Sequence, residues 1–318
     1  MSLYLTKDNI KSCANIQIVK KYKYKNMTKN NKTEIKGKHR IMAGIVLFNP
    51  NKERLTQNID AIYPQVDKIV LIDNCSTNGI HIETRKKIDI TLIRNNTNKG
   101  IAFALNQIME YAFGHNFDWV ITLDQDSVVS NNLINTYIPL ADINKVGIIS
   151  CKTKDRNFKE IDQDEIKPDR VVKYCITSAA LTNVKAWKEV NGFDNQMFID
   201  WVDWDICIAL RHKGYKIVRT DRTYILHELG TKTRIKHLWK WSFLILNRSA
   251  TRYYYVARNW IYLGRKWKDE NLFIKIIQVV KMAIIVIIYE GNKIKNAKAF
   301  FNGFIDGFKM HLKPQYDE

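Results

Sequence analysis

A chain of 318 residues with 46% hydrophobic and 11% aromatic residues is long enough for one large domain or two modest ones around a sizeable core. That composition excludes wholesale disorder, and the lack of any period excludes collagen, coiled coils and repeat arrays. The net charge of +19 sits in two flanks: residues 1–40 carry 11 Lys+Arg against 2 Asp+Glu, residues 231–318 carry 17 against 6, and the body between them is −1. A neutral body with basic ends argues against a nucleic-acid enzyme, which places its positive charge around the cleft, and for contact with an anionic membrane surface.

In chain order, residues 1–38 have no sustained apolar face and are expected to form a basic extension without a secretory signal. Ile41–Phe48 is an apolar strand stopped by Asn49-Pro50, and a helical pattern follows from about Lys52 to Tyr63. Lys68–Asp73 and Ile90–Arg94 are further strands, and Gly100–His115 is an amphipathic helix. Trp119–Leu123 is a fourth strand running into Asp124-Gln125-Asp126; a helix from about Asn131 and a strand at Val146–Cys151 come next. Residues 153–170 are polar and predict a loop, and Asn183–Val190 and Trp204–Lys213 are helices stopped by Gly192 and Gly214. From about His237 the chain predicts helices only. Within Asn271–Glu290 the clean apolar run Met282–Tyr289 is eight residues, short for a bilayer span, so the segment predicts a helix lying in a membrane interface or docked on the body.

Short apolar strands alternating with amphipathic helices mean an α/β fold with a mostly parallel sheet covered on both faces. Ligands of such sheets sit beyond the carboxyl ends of the strands, which puts Asn49, Asp73 and Asp124–Asp126 on one rim. Asp124 and Asp126 have the hard oxygens that suit Mg²⁺ or Mn²⁺ on a diphosphate, although a solvated helix-capping turn looks the same in sequence. Asp73 is placed to accept from a base N–H or a ribose hydroxyl, or to stabilise its turn. Asp200, Asp203 and Asp205 interleave with Trp201 and Trp204; one or two acids complement a helix dipole, while three beside aromatic faces suit a general base at a sugar hydroxyl. His227 is a further metal-ligand candidate, and Arg248, Arg252 and Arg258 lie where a helix could turn them to a diphosphate, to lipid headgroups or to water. The five cysteines, Cys13, Cys75, Cys151, Cys175 and Cys207, form no CxxC pair, which favours free thiols over a zinc ribbon or redox dithiol.

GIVLFNPN, KIVLIDNCSTN, NNTNKGIAFALNQ, WVITLDQDS and FIDWVDWDICIALRHKGY stand in this order, followed by HELG and RYYYVARN. Together they resemble the bacterial family 2 glycosyltransferases of GT-A fold, and within them the rhamnosyltransferase-like group, from about Ile41 to Asn259. The resemblance implies a GT-A catalytic domain over 39–235 and a helical, basic region over 236–318. It implies that Phe48, Asn49, Asn98, Lys99 and Gly100 line the nucleotide site, and that Asp73 binds the pyrimidine. It implies further that Asp124 meets the ribose or the metal, and that Asp126, with His227 as in some relatives, holds Mn²⁺ or Mg²⁺. Asp203 matches the catalytic base, with Val202 where many relatives have Glu, and Asp200, Trp201 and Trp204 fall at the acceptor side. The implied reaction is inverting transfer of a sugar, L-rhamnose from dTDP-rhamnose, to a lipid-linked saccharide at the cytoplasmic face of the membrane. Another nucleotide sugar (of glucose, galactose or an N-acetylhexosamine) and a non-catalytic membrane or nucleic-acid binding module are the alternatives. Nucleotidyl transfer is disfavoured, because NPNKERL after the first strand has no glycine for a phosphate loop.

Overall fold

The computed structural model describes residues 39–80, 89–155, 167–227, 234–238, 241–245 and 247–312. The basic extension over 1–38 lies outside the described residues. The described residues divide into two units, one within 39–195 and 206–228 and the other within 196–205 and 229–318.

The first unit is built on a nine-stranded sheet in the order β3-β2-β1-β4-β8-β6-β9-β5, with β7 paired to β9. Its strands are β1 (Ile41–Leu47), β2 (Lys68–Asp73), β3 (Ile90–Arg94), β4 (Trp119–Asp124), β5 (Val128–Val129), β6 (Val146–Asp155), β7 (Arg170–Val172), β8 (Ala180–Asn183) and β9 (Lys216–His227). Strands β3, β2, β1 and β4 run parallel, so their carboxyl ends share one edge; β8 then enters antiparallel to β4. All seven residues of β1 are buried, as a strand covered on both faces requires. Ile41, Ala43, Ile45 and Leu47 point into a cluster with Leu55, Ile59 and Ile62 of helix α1 (Lys52–Ile62) and with Leu133 and Tyr137 of α3 (Leu133–Ala141). On the opposite face Gly44 lies against Ile108 of α2 (Ile101–Gly114), too close for any Cβ. Helix α4 (Val184–Glu189) is capped by the Asn183 side chain, which accepts from Ala186 N–H.

Two expectations over this unit change. The segment predicted as a loop over 153–170 is strand at both ends, because β6 runs to Asp155 and β7 begins at Arg170; residues 156–166 lie outside the described residues. Both polar strand ends pair with β9, a partner more than forty residues away in sequence that local pattern cannot supply. The Asp203 helix, α5, spans Val202–His212, two residues earlier than predicted at its start.

The second unit holds the hairpin β10 (Arg234–Leu238) and β11 (Trp241–Ile245), then α6 (Ala250–Lys266), α7 (Leu272–Tyr289) and α8 (Lys293–Lys309). The helices predicted from His237 therefore begin only at Ala250, and Arg248 precedes its helix. The hairpin was illegible because each five-residue strand takes its hydrogen bonds from the other. Ser249 caps α6 by accepting from Arg252 N–H. Gly303 and Gly307, four residues apart on α8, lie against the backbone of α6 at Tyr254 and Arg258, where any Cβ would collide.

Helix α7 is one unbroken 18-residue helix, long and apolar enough by length and composition to cross a membrane, where the sequence counted only the run Met282–Tyr289. Two of the three polar residues that interrupt the segment face inward, while Lys281 is exposed: Lys275 pairs with Glu270 at 2.7 Å, and Gln278 accepts from the Trp260 indole at 2.9 Å. The outward stripe, Phe273, Ile277, Val280, Ile284 and Ile288, is exposed, Phe273 by 69% and Ile288 by 57%.

Candidate active site

The parallel registers align the strand ends of the sheet. Leu47 lies opposite Asp73, Val46 opposite Asp124, and Asp73 opposite Arg94. The chain therefore leaves β1, β2 and β4 with Phe48-Asn49, Asp73 and Asp124 on one rim, beyond the carboxyl ends where this class of sheet binds ligands.

Each rim residue is held by short polar contacts. Phe48, 47% exposed, is fixed by Gln125: its N–H donates to Oε1 at 2.8 Å and its C=O accepts from Nε2 at 3.2 Å. Asn49 takes a left-handed conformation, φ 49°, its N–H donating to Ser76 Oγ and its side-chain oxygen accepting from Thr77 N–H at 2.8 Å. Buried Asp73 accepts the Ser76 N–H at 2.9 Å through Oδ1, and its Oδ2 stands 3.8 Å from the Arg94 guanidinium. Next to it, buried Asn74 ties down the loop carrying Asn98, Lys99 and Gly100. Its Nδ2 donates to Asn98 Oδ1 and Gly100 C=O, and its Oδ1 accepts from Lys99 N–H. Gly100 itself has φ 85°, which opens α2 with a bend that other residues resist.

Asp124 is anchored through its backbone: its N–H donates to Ser178 Oγ at 3.1 Å and its C=O accepts from buried Asn58 Nδ2 at 2.6 Å. Asp126 follows in the turn to β5, and both aspartates are half-buried. Strand β5 pairs antiparallel with β9, Val128 with Leu226, so the register carries the His227 backbone to the level of Ser127, beside the Asp126 turn. The His227 side chain is outside the described residues. Among the described residues no group of three His, Cys, Asp or Glu side chains forms a closed metal centre. Two carboxylates one residue apart fit a Mg²⁺ or Mn²⁺ ion that takes its other oxygens from phosphate and water.

In the other unit, the segment before α5 holds the second set of candidates. Asp203, half-buried in the first turn, accepts the N–H of Trp204 at 3.0 Å. Burial pushes its carboxyl above the usual carboxylate range, and the neighbouring Asp200 charge adds to the rise. Asp200 is engaged by two arginines: Arg252 donates at 2.6 and 3.0 Å and Arg248 at 3.2 Å. Trp201 is buried, stacked on Trp260 at 3.8 Å, with its indole N–H on Val256 C=O. Trp204 is half-buried and meets both tryptophans edge to face. Asp205 is buried, accepting from Lys266 Nζ and Trp267 Nε1, each at 2.8 Å. Arg258, the third arginine of the sequence motif, donates to Gln196 C=O at 2.6 Å.

The profile of Glycosyl transferase family 2 matches residues 43–189, which include the whole rim from Phe48 to Asp126. That stretch, a little under half of the chain, is similar to the family 2 glycosyltransferases. The transferase is 25% identical over 287 residues to dTDP-rhamnosyl transferase RfbF of Shigella flexneri, covering 85% of this chain and 95% of that one. Among solved structures it superposes on Staphylococcus aureus TarS 1-349 in complex with UDP-GlcNAc with a TM-score of 0.54 and 15% identity, covering 85% and 81% of the two chains. It superposes on GalNAc-T7 with UDP, GalNAc and Mn²⁺ with a TM-score of 0.53 and 12% identity; 85% of the transferase is covered, but it spans only 56% of that chain. These likenesses establish a GT-A-like fold.

Four polar residues that organise these sites in the transferase went unread in its sequence: Asn58, Asn74, Gln125 and Asn259. Gln125 and Asn74 adjoin acids that the sequence did single out, and that adjacency was the available signal. Asn58 and Asn259 sit in helices, where a buried amide and an exposed one look alike.

Proposed function

We propose that the transferase moves L-rhamnose from dTDP-rhamnose to a lipid-linked saccharide acceptor in one inverting displacement. The observation that carries this reading is the rim on which Asp73, Asp124 and Asp126 follow the ends of parallel strands, in a chain similar along most of its length to a dTDP-rhamnosyl transferase. Asp73 accepts the imide N–H of the pyrimidine, the exposed Phe48 ring covers the base, and the Asn98–Gly100 loop borders the nucleotide. Asp124 and Asp126, with His227, hold a Mn²⁺ or Mg²⁺ ion, which when bound neutralises the charge developing on the diphosphate. Asp203 takes the proton of the acceptor hydroxyl as that oxygen attacks the anomeric carbon and the bond to the diphosphate oxygen breaks. The proton ends on Asp203 and the electron pair on the leaving dTDP, with no covalent enzyme intermediate. The raised carboxyl of Asp203 suits a base that must hold a proton during the step. Trp204 offers the acceptor sugar a partly exposed ring.

Calorimetry with dTDP-rhamnose, dTDP, UDP and UDP-glucose, each with Mn²⁺ and with chelator, tests the donor. Metal-dependent binding that favours the thymidine nucleotides is expected. A uridine preference would overturn the sugar while keeping the transferase, and no metal-dependent binding would overturn the metal site.

We infer further that the transferase works as a peripheral protein on the cytoplasmic face of the membrane. Helix α7 is predominantly apolar but buries only its inner stripe, and its outer stripe is accompanied by exposed Lys281 and by a basic C-terminal region. Pelleting with vesicles containing phosphatidylglycerol should be strong at low salt, fall in high salt, and drop several-fold in Ile284→Asp. Equal pelleting of Ile284→Asp and the parent would sink the assignment to this stripe.

A further inference from the structure

We propose that Asn259 is a positioning residue for transfer: its amide clamps the left-handed segment that leads into α5 and so sets where the Asp203 carboxylate points. The proposal rests on the reading of Asp203 as the base.

Three residues in the four before α5 have positive φ without being glycine: Phe198 (52°), Asp200 (65°) and Trp201 (66°). Each such residue is strained, so a cluster of them persists only where its surroundings enforce it. The enforcing group is on α6. Asn259 is fully buried, and its Nδ2 donates to three carbonyls of this segment, Met197 at 2.6 Å, Ile199 at 2.8 Å and Asp200 at 2.9 Å. Two amide hydrogens thus serve three acceptors, and the third contact is shared. The Oδ1 of Asn259 accepts from Arg258 Nε at 3.0 Å, and the same guanidinium donates to Gln196 C=O. Four of the five carbonyls from Gln196 to Asp200 are therefore held from two adjacent positions of one helix.

Asp203 sits between this clamp and a second one. Three residues before it, the Asp200 carbonyl is held by Asn259; two residues after it, the Asp205 carboxylate is locked by Lys266, the last residue of α6, and by Trp267 just after it. Trp201 C=O accepts the Asp205 N–H, which closes the first helical turn across Asp203. Only an uncharged donor pair of this size satisfies the site. Asp would turn two donors into acceptors facing carbonyls, and Leu would remove the side-chain donor from the Met197, Ile199 and Asp200 carbonyls, leaving Met197 C=O with the Ile199 N–H alone of these contacts. A carboxylate held from both sides is pre-organised for proton transfer, where a displacement of about 1 Å costs on the order of 100-fold in rate.

The test is a double-mutant cycle of Asn259→Ser and Asp203→Asn, read as kcat, donor affinity and thermal unfolding. If Asn259 acts through Asp203, Asn259→Ser lowers kcat by about tenfold or more with donor affinity within about twofold, and adds nothing further in the Asp203→Asn background. A merely structural amide would lower the unfolding temperature while leaving kcat of the folded enzyme unchanged, and that result overturns the clamp. Equal fold-losses in both backgrounds also overturn it. A parental rate in Asp203→Asn alone would instead overturn the base reading, and the two failures are told apart by which single variant keeps its rate. Should Asn259→Ser not fold, Asn259→Gln, which carries the amide one methylene further out, is put through the same cycle.

Discussion

Replacing Asp203 by Asn is expected to lower transfer by a factor on the order of 10²–10⁴, the usual worth of a positioned general base, while donor affinity stays near that of the parent. The same substitution is expected to leave the fold as stable or more stable at neutral pH. Burial raises the folded-state pKa of Asp203 above its unfolded value, so protonation favours the fold. That contribution is fully present below the ordinary carboxylate pKa and is lost as pH rises through the raised one. At neutral pH the ionised carboxylate is therefore a cost that Asn removes, and the advantage of Asn disappears in acid. The parent's kcat/KM should likewise fall on the acid side at a pH above the usual carboxylate range, and that limb should vanish from the residual rate of the variant. Thermal unfolding at pH 4 and pH 7.5 together with a pH–rate profile measures all three. Parental turnover in Asp203→Asn would remove the residue from the mechanism.

Asp126→Asn is expected to weaken Mn²⁺ binding in the presence of dTDP by about 100-fold or more, since even groups behind the ligands typically contribute 10–100-fold. Its rate at saturating donor should recover partly as Mn²⁺ is raised, whereas Asp73→Asn, at the residue proposed to meet the base and not the ion, should lose donor affinity at every Mn²⁺ concentration. Titrating Mn²⁺ against both variants separates the two roles. An unchanged metal dependence in Asp126→Asn would place the ion elsewhere.

The first half of the sheet was legible because β1, β2 and β4 are buried on both faces and read as unbroken apolar runs with polar stops, a local signal that needs no partner. Strands β7, β10 and β11 were not legible, because three to five mixed residues become strand only through a pairing partner. The acids of the site were visible by type and by their place at strand ends. Their surroundings were not: Asp200 occupied by Arg248 and Arg252, and Trp201 stacked inside rather than presented, follow from α6 and the residues just before it, some fifty residues later in the chain.

By itself the sequence determined the α/β class, the rim on which Asp73 and Asp124 stand, and the uneven distribution of charge, because burial pattern and turn chemistry are written in neighbouring residues. Only the tertiary structure decided that Asn259 holds the turn before Asp203, that Asn58 and Ser178 anchor Asp124, and that α7 buries one stripe and exposes the other. Each depends on groups far apart in the chain, and a polar side chain's partner exists only once the chain has brought it there.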